Sequence, residues 1–121
     1  NFPYILGAAA TYKNETARGL VRELKFGFIR NAARPLTKLL ISYIENICHS
    51  RAGGNPVLYF MENDWVVVPI PLGAKRMRQR GFNQAVLIAE IFAEHFSLAV
   101  EKEGFARQKE TKPQSEMENF E

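Results

Sequence analysis

The chain has one cysteine, one tryptophan and two histidines among its 121 residues, and Asp64 is its single aspartate. One cysteine rules out an intrachain disulfide and any zinc cluster built on cysteine. Cys48 falls on a helical pattern beside Ile44 and Ile47 and reads as a small core residue. His49 and His95 lie far apart without ligand spacing, so surface or helix-end roles suit them, and no metal site is expected. No two acidic residues are adjacent, and neither Thr-Thr nor Thr-Gly occurs. No apolar run approaches the ~20 residues that a membrane-spanning helix needs. The opening stretch, NFPYILGAAATYK, lacks the basic region ahead of a long apolar run that marks a signal peptide. These absences together fit a reducing, cytoplasmic setting.

What is present suits a single α/β domain. Hydrophobic residues make up 46% of the chain and aromatics 12%, ample for a core. A chain of this length buries roughly two thirds of its unfolded surface. The net charge is +3 and the pI about 9.2, which favours an acidic ligand such as a phosphate ester or a nucleic acid.

Tyr4 to Tyr12 is apolar and small and reads as a strand, straight or bent. Asn14, Glu15 and Thr16 supply turn and N-cap chemistry. Ala17, Leu20, Val21, Leu24 and Phe28 then keep helical spacing, with Arg18, Arg22, Glu23 and Lys25 opposite. Gly27 loosens or ends that helix, and Pro35 suits the first turn of the next. Leu36, Leu39, Leu40, Tyr43, Ile44 and Ile47 form a stronger amphipathic stripe. Ser50 to Pro56 is a breaker segment, read as a flexible loop. Val57 to Met61 reads as a short extra strand or an insertion in that loop. A third helix is expected from about Asn83 to Phe96, burying Ala85, Ile88, Ala89, Phe92 and Phe96, and Leu98 to Val100 reads as another strand. From Glu101 to Glu121 the chain is charge-rich and poor in large apolar residues, as in a solvated tail or mobile loop. The order strand, helix, helix, strand, loop, helix, strand predicts at least one right-handed crossover.

The densest signal is WVVVPIPLGAKRMRQRGFNQ, Trp65 to Gln84. Val66, Val67 and Val68 read as a buried strand, stopped by Pro69 and Pro71. Four cations follow, Lys75, Arg76, Arg78 and Arg80, and Gly81-Phe82-Asn83-Gln84 then opens the third helix. A strand feeding a basic loop that feeds a helix start is the usual geometry of an anion site in an α/β protein. Bland roles compete at each position. Lys75, Arg76 and Arg78 also suit a solvated basic turn. Asn83 suits an N-cap, and Arg80 a partner for a carboxylate. Gly81 answers a backbone need, and Phe82 suits a core anchor better than a stacking platform.

Four stretches resemble the ComF/GntX group of proteins, which has the type I phosphoribosyltransferase fold. Tyr12 precedes a helix ending in Leu24-Lys25-Phe26, similar to the group's LKF helix. Val66 to Leu72 is similar to its VPVPL strand. Arg76, Arg78 and Arg80-Gly81-Phe82-Asn83-Gln84 are similar to its R-x-R-x-RGFNQ signature. Thr111-Lys112-Pro113-Gln114-Ser115 resembles its T-x-x-Q segment. The matches keep their order and span about residues 8 to 120.

The resemblance implies a parallel sheet flanked by helices, here an incomplete phosphoribosyltransferase-like domain over 1–121 with 101–121 as a mobile loop or tail. It implies Mg²⁺ and phosphoribosyl pyrophosphate (PRPP) as ligands of the complete fold. Lys75, Arg76, Arg78, Arg80, Gly81, Asn83 and Gln84 are the candidates for contacting pyrophosphate or another anion, and Thr111 and Gln114 the candidates in a mobile closing loop. The group usually also carries a cysteine-rich zinc module, and a strand with two acidic residues followed by Thr-Thr-Gly that holds PRPP. This sequence contains neither, so the expectation is a fragment that is inactive alone. Members of the group are associated with DNA uptake in natural transformation, which implies single-stranded DNA and a competence helicase as partners. The competing expectation is a non-enzymatic nucleic-acid- or partner-binding module that uses the 75–80 cluster on phosphates.

Overall fold

Asn14 starts the first helix in the way its side chain allows. Its Oδ1 accepts from the Ala17 amide at 3.0 Å, and α1 runs Glu15–Lys25. In the computed structural model, residues 6–52 and 64–109 are described, with side chains for 6–47 and 64–109. A 3-10 turn, Arg30–Ala32, leads into α2, Ala33–Ala52, with Pro35 in its first turn. Strand β1, Val66–Val67, is followed by α3, Ala74–Arg80, then α4, Gln84–Phe96, and β2, Ala99–Val100. The two strands pair in parallel, with Val66 opposite Ala99 and Val67 opposite Val100. The Glu101 amide extends this ladder, donating to the Val67 carbonyl at 2.9 Å. The fold is thus mixed α/β, with α3 and α4 forming the crossover between parallel strands.

The core is a layer between α2 and α4, closed by α1 at one end and the strands at the other. Leu24, Ala32, Ala33 and Phe82 form one buried cluster, joined by Leu20, Leu36, Leu87, Ile88 and Ile91. Phe92 and Phe96 form a second with Leu40, Ile41, Ile44, Val67 and Leu98. Phe96 is fully buried, and its ring lies 4.8 Å from that of Phe92. Of the residues expected to be buried on α4, Ala89, Phe92 and Phe96 are, with Ala93 beside them, while Ala85 and Ile88 are only partly buried. Thr37, the one buried polar residue in this layer, is satisfied: its hydroxyl donates to the Ala33 carbonyl at 2.7 Å. Across the helix pair, His95 meets Glu45 at 3.2 Å on the surface, a helix-end role.

Four expectations need correction. Residues 6–12 form no strand; the chain bends at Ala9 and Ala10, and the β1–β2 pair is the sheet of the described residues, leaving this segment no ladder. The buried strand expected at Val66 to Val68 pairs only at Val66–Val67, ahead of Pro69 and Pro71, which lack amides, and it is not buried: Val66 and Val68 are exposed, because the two-stranded sheet is covered on one face only. Phe28 does not extend the stripe of α1: that helix ends at Lys25, and Phe28 has φ 57° and is half exposed. The 75–80 segment is a helix rather than a loop. Ala, Lys, Arg, Met and Gln are all strong helix formers, and the flanking Gly73 and Gly81 bound the segment without breaking it. The Cys48 and His49 side chains and Val57 to Met61 lie outside the described residues; of the charged segment after β2, 101–109 is exposed and without regular structure.

Glu101 shapes the exit from β2. Its Oε1 accepts from the Glu103 and Gly104 amides at 2.9 and 2.8 Å. These bonds hold the carboxylate below its ordinary pKa, the Glu103 amide contributing most and desolvation opposing. A lowered folded-state pKa means the carboxylate's contribution is present above the ordinary glutamate range and is lost as pH falls through the lower value. An NMR titration is expected to place Glu101 below an unperturbed glutamate, and Glu101→Gln to remove that acid-side transition. In the core, Phe96→Ala is expected to cost about 3–5 kcal/mol in chemical denaturation, the usual range for a buried phenylalanine.

Candidate functional site

Arg80, Gly81, Asn83 and Gln84 lie at the corner where α3 turns into α4, while Lys75, Arg76 and Arg78 lie back along α3. Gly81 ends α3 in the left-handed region, φ 74°, and its amide donates to the Met77 carbonyl at 2.8 Å. A side chain at 81 would have room but would carry the strain of that φ, so glycine here serves the backbone. Phe82 turns inward against α1, α2 and α4, with 6% of its surface exposed. Asn83 then does two jobs. Its Oδ1 accepts from the Ala85 amide at 2.9 Å, capping α4, and its Nδ2 donates to the Ile70 carbonyl at 3.1 Å. That second bond ties the stretch after β1 to the start of α4.

The four cations do not converge on one point. At 3.6 residues per turn, positions 75, 76, 78 and 80 spread over about 200° of the helix circumference. Lys75 and Arg78, three apart, share an exposed face. Arg76 and Arg80, four apart, share a half-buried one. Arg80 donates from Nη1 to Gln84 Oε1 at 2.9 Å, an amide rather than a carboxylate partner. Its guanidinium also lies 5.8 Å over the Phe26 ring. Burial first, and the Arg76 charge second, pull the Arg80 pKa below its ordinary value. Arginine titrates so far above neutrality that Arg80 keeps its charge.

Arg30, which the sequence did not single out, and Phe26, the last residue of the Leu24-Lys25-Phe26 match, complete the corner. Arg30, at the entry to α2, donates from Nη2 to the Gly81 carbonyl at 3.4 Å, and its guanidinium sits 4.9 Å over the Phe82 ring. Phe26 closes the other side beneath Arg80. A separation of 51 residues between Arg30 and Gly81 leaves no periodic signal by which the chain could announce that contact. Thr111 and Gln114 lie outside the described residues. Among the described residues, no three His, Cys, Asp or Glu side chains gather to hold a metal, and no helix is long and apolar enough to cross a membrane.

The arrangement divides the labour within the Arg80 to Gln84 motif. Gly81, Phe82 and Asn83 hold the corner, Gln84 receives Arg80, and Lys75 and Arg78 present charge to solvent. Asn83→Ala is expected to cost about 1–2 kcal/mol in chemical denaturation, from the lost cap and the lost tether to Ile70. Asn83→Asp restores the cap acceptor but no donor for the Ile70 carbonyl, so it should recover part of that loss. Full recovery in the aspartate variant would show that the tether carries no stability.

A scan against family models, a search of curated proteins and a search of solved structures each find no match to this chain.

Proposed function

We propose that this chain is a ComF-like member of the phosphoribosyltransferase group, connected with DNA uptake, that binds a phosphorylated small molecule of the PRPP class. One observation carries the reading: the basic helix α3, Ala74–Arg80, follows the parallel-paired strand β1 after a connection through Val68 to Gly73, and the Arg80 to Gln84 motif forms the corner into the crossover helix. In open α/β sheets, ligands bind in the crevice beyond the carboxyl ends of the strands. Lys75 and Arg78 are exposed on α3, and a pyrophosphate group is the ligand their charge suits.

Phosphoribosyl transfer breaks the bond between C1′ and pyrophosphate while positive charge develops on the sugar. Negative charge grows on the leaving group, so cations that hold it stabilise the transition state more than the ground state. The residues present fit the leaving group and not the ribose. With no adjacent acidic pair and no Thr-Thr-Gly, these 121 residues lack the group's own means of holding the ribose hydroxyls and 5′-phosphate. Magnesium, if used, enters as the substrate's pyrophosphate complex. The chain by itself is therefore expected to bind and not to turn over.

Calorimetric titration with Mg²⁺-PRPP and with inorganic pyrophosphate at 50 mM salt tests this. Both ligands are expected to bind, and Lys75→Ala and Arg78→Ala are each expected to weaken binding about tenfold, the worth of one charge-assisted hydrogen bond. Absence of binding, or unchanged affinity in both variants, overturns the reading.

A further inference from the structure

The segment ahead of α1 borders a groove between α1 and α2 without filling it. Gly7 allows the close approach at one end: a Cβ there would lie 3.1 Å from the Tyr43 ring of α2. At the other end the Asn14 amide donates to the Thr11 carbonyl at 3.0 Å, and the Asn14 side chain caps α1. The chain bends between these ties at Ala9 and Ala10. Among the described residues this leaves an open cavity of about 410 Å³, within the roughly 300–1,000 Å³ of small-molecule sites. Its apolar lining comes from Ala9 and Ala10 of the bend, Ala17 and Val21 of α1, and Leu36 and Leu39 of α2. The space exists because three of those side chains are single methyl groups.

Three polar residues complete the lining, Thr11, Tyr12 and Arg18, and Arg18 is its one charged member. The Arg18 guanidinium lies 5.8 Å over the Tyr12 ring, and among the described residues it joins no ion pair. A guanidinium over a ring keeps its in-plane N–H donors, and these suit a carboxylate through two parallel bonds. The groove thus combines an apolar lining with a single cation. An uncharged apolar ligand would leave that cation without a partner. A pyrophosphate would bring several negative charges to one cation and no apolar body to the walls. A saturated chain ending in one carboxylate answers both parts.

We infer that the groove between the 6–12 segment, α1 and α2 binds a medium-chain aliphatic carboxylate, its chain against Ala10, Val21, Leu36 and Leu39 and its head group on Arg18. The groove shares no residue with the α3–α4 corner, and the inference does not rest on pyrophosphate binding at Lys75 and Arg78.

The test follows backbone amide NMR shifts of the full chain at 50 mM salt during titration with hexanoate, octanoate and decanoate, each below its micellar concentration. Acetate supplies the charge without the chain, octanol the chain without the charge, and pyrophosphate a different anion. Octanoate is expected to bind at one site, shifting the amides of Ala9, Ala10, Ala17 and Arg18. Affinity is expected to rise by up to about fourfold per added methylene along the series. Octanol should bind about tenfold more weakly than octanoate, the worth of one charge-assisted hydrogen bond. Arg18→Gln should weaken octanoate about tenfold and leave octanol unchanged. Arg18 is exposed, so its replacement tests the head contact without disturbing the core. Ala10→Leu occupies the space and should weaken both ligands. Octanoate shifts that are absent or scattered over the surface, octanol binding as tight as octanoate, or octanoate affinity unchanged in either variant overturns the proposal. So do pyrophosphate or acetate shifts at these four amides equal to those of octanoate, which would make the groove a general anion site.

Discussion

Phe82 pins this structure. It is a large apolar side chain in the turn between two helices, and burying it decides how that turn must lie. Its ring joins Leu24 of α1, Ala32 and Ala33 at the head of α2, and the partly buried Leu87, Ile88 and Ile91 of α4. Three helices thus contribute to the cluster that holds Phe82. Burial of a phenylalanine is worth roughly 1.5–3 kcal/mol, comparable to a large fraction of a small domain's net stability. Gly81 and Asn83 serve this placement from either side, one by taking a positive φ and the other by capping α4 and holding the Ile70 carbonyl.

From that pin follows the charge distribution. Because Phe82 goes in, α3 must leave the corner along the surface, and its cations are shared between a half-buried and an exposed face. Arg80 on the half-buried face is occupied with Gln84 and Phe26, and Arg30 covers Phe82 from outside. These guanidinium groups sit on apolar rings, where a flat and weakly hydrated cation loses little by partial burial. Lys75 and Arg78 are exposed. A motif that looks uniformly basic in one dimension therefore separates into a structural half and a presenting half.

The small sheet shows the same division. A pair of two-residue parallel strands gains little from its own ladder, and it persists because Val67 and Leu98 pack on Phe92 and Phe96. The other face of β1 is open, with Val66 52% and Val68 41% exposed. Parallel sheets are ordinarily covered on both faces.

Helices α1, α2 and α4 were legible in the sequence because their apolar spacing and their caps, Asn14 and Asn83, are local properties. Gly81, Phe82 and Asn83 were likewise readable as backbone, core and cap residues. The dense charge of 75–80 resembles a basic loop and conceals α3, although every residue from Ala74 to Arg80 favours a helix. The apparent strand before α1 failed for a different reason: a strand exists only where a partner offers a ladder, and no composition supplies one. Local chemistry thus determined the helices, the turn at Gly81 and the sign of the surface charge. Tertiary packing alone decided that Phe28 faces solvent, that Arg30 covers Phe82 and that Arg80 covers Phe26. Those contacts join residues about fifty positions apart, and contacts at that distance are selected by the shape of the buried core, which no short stretch of the chain contains.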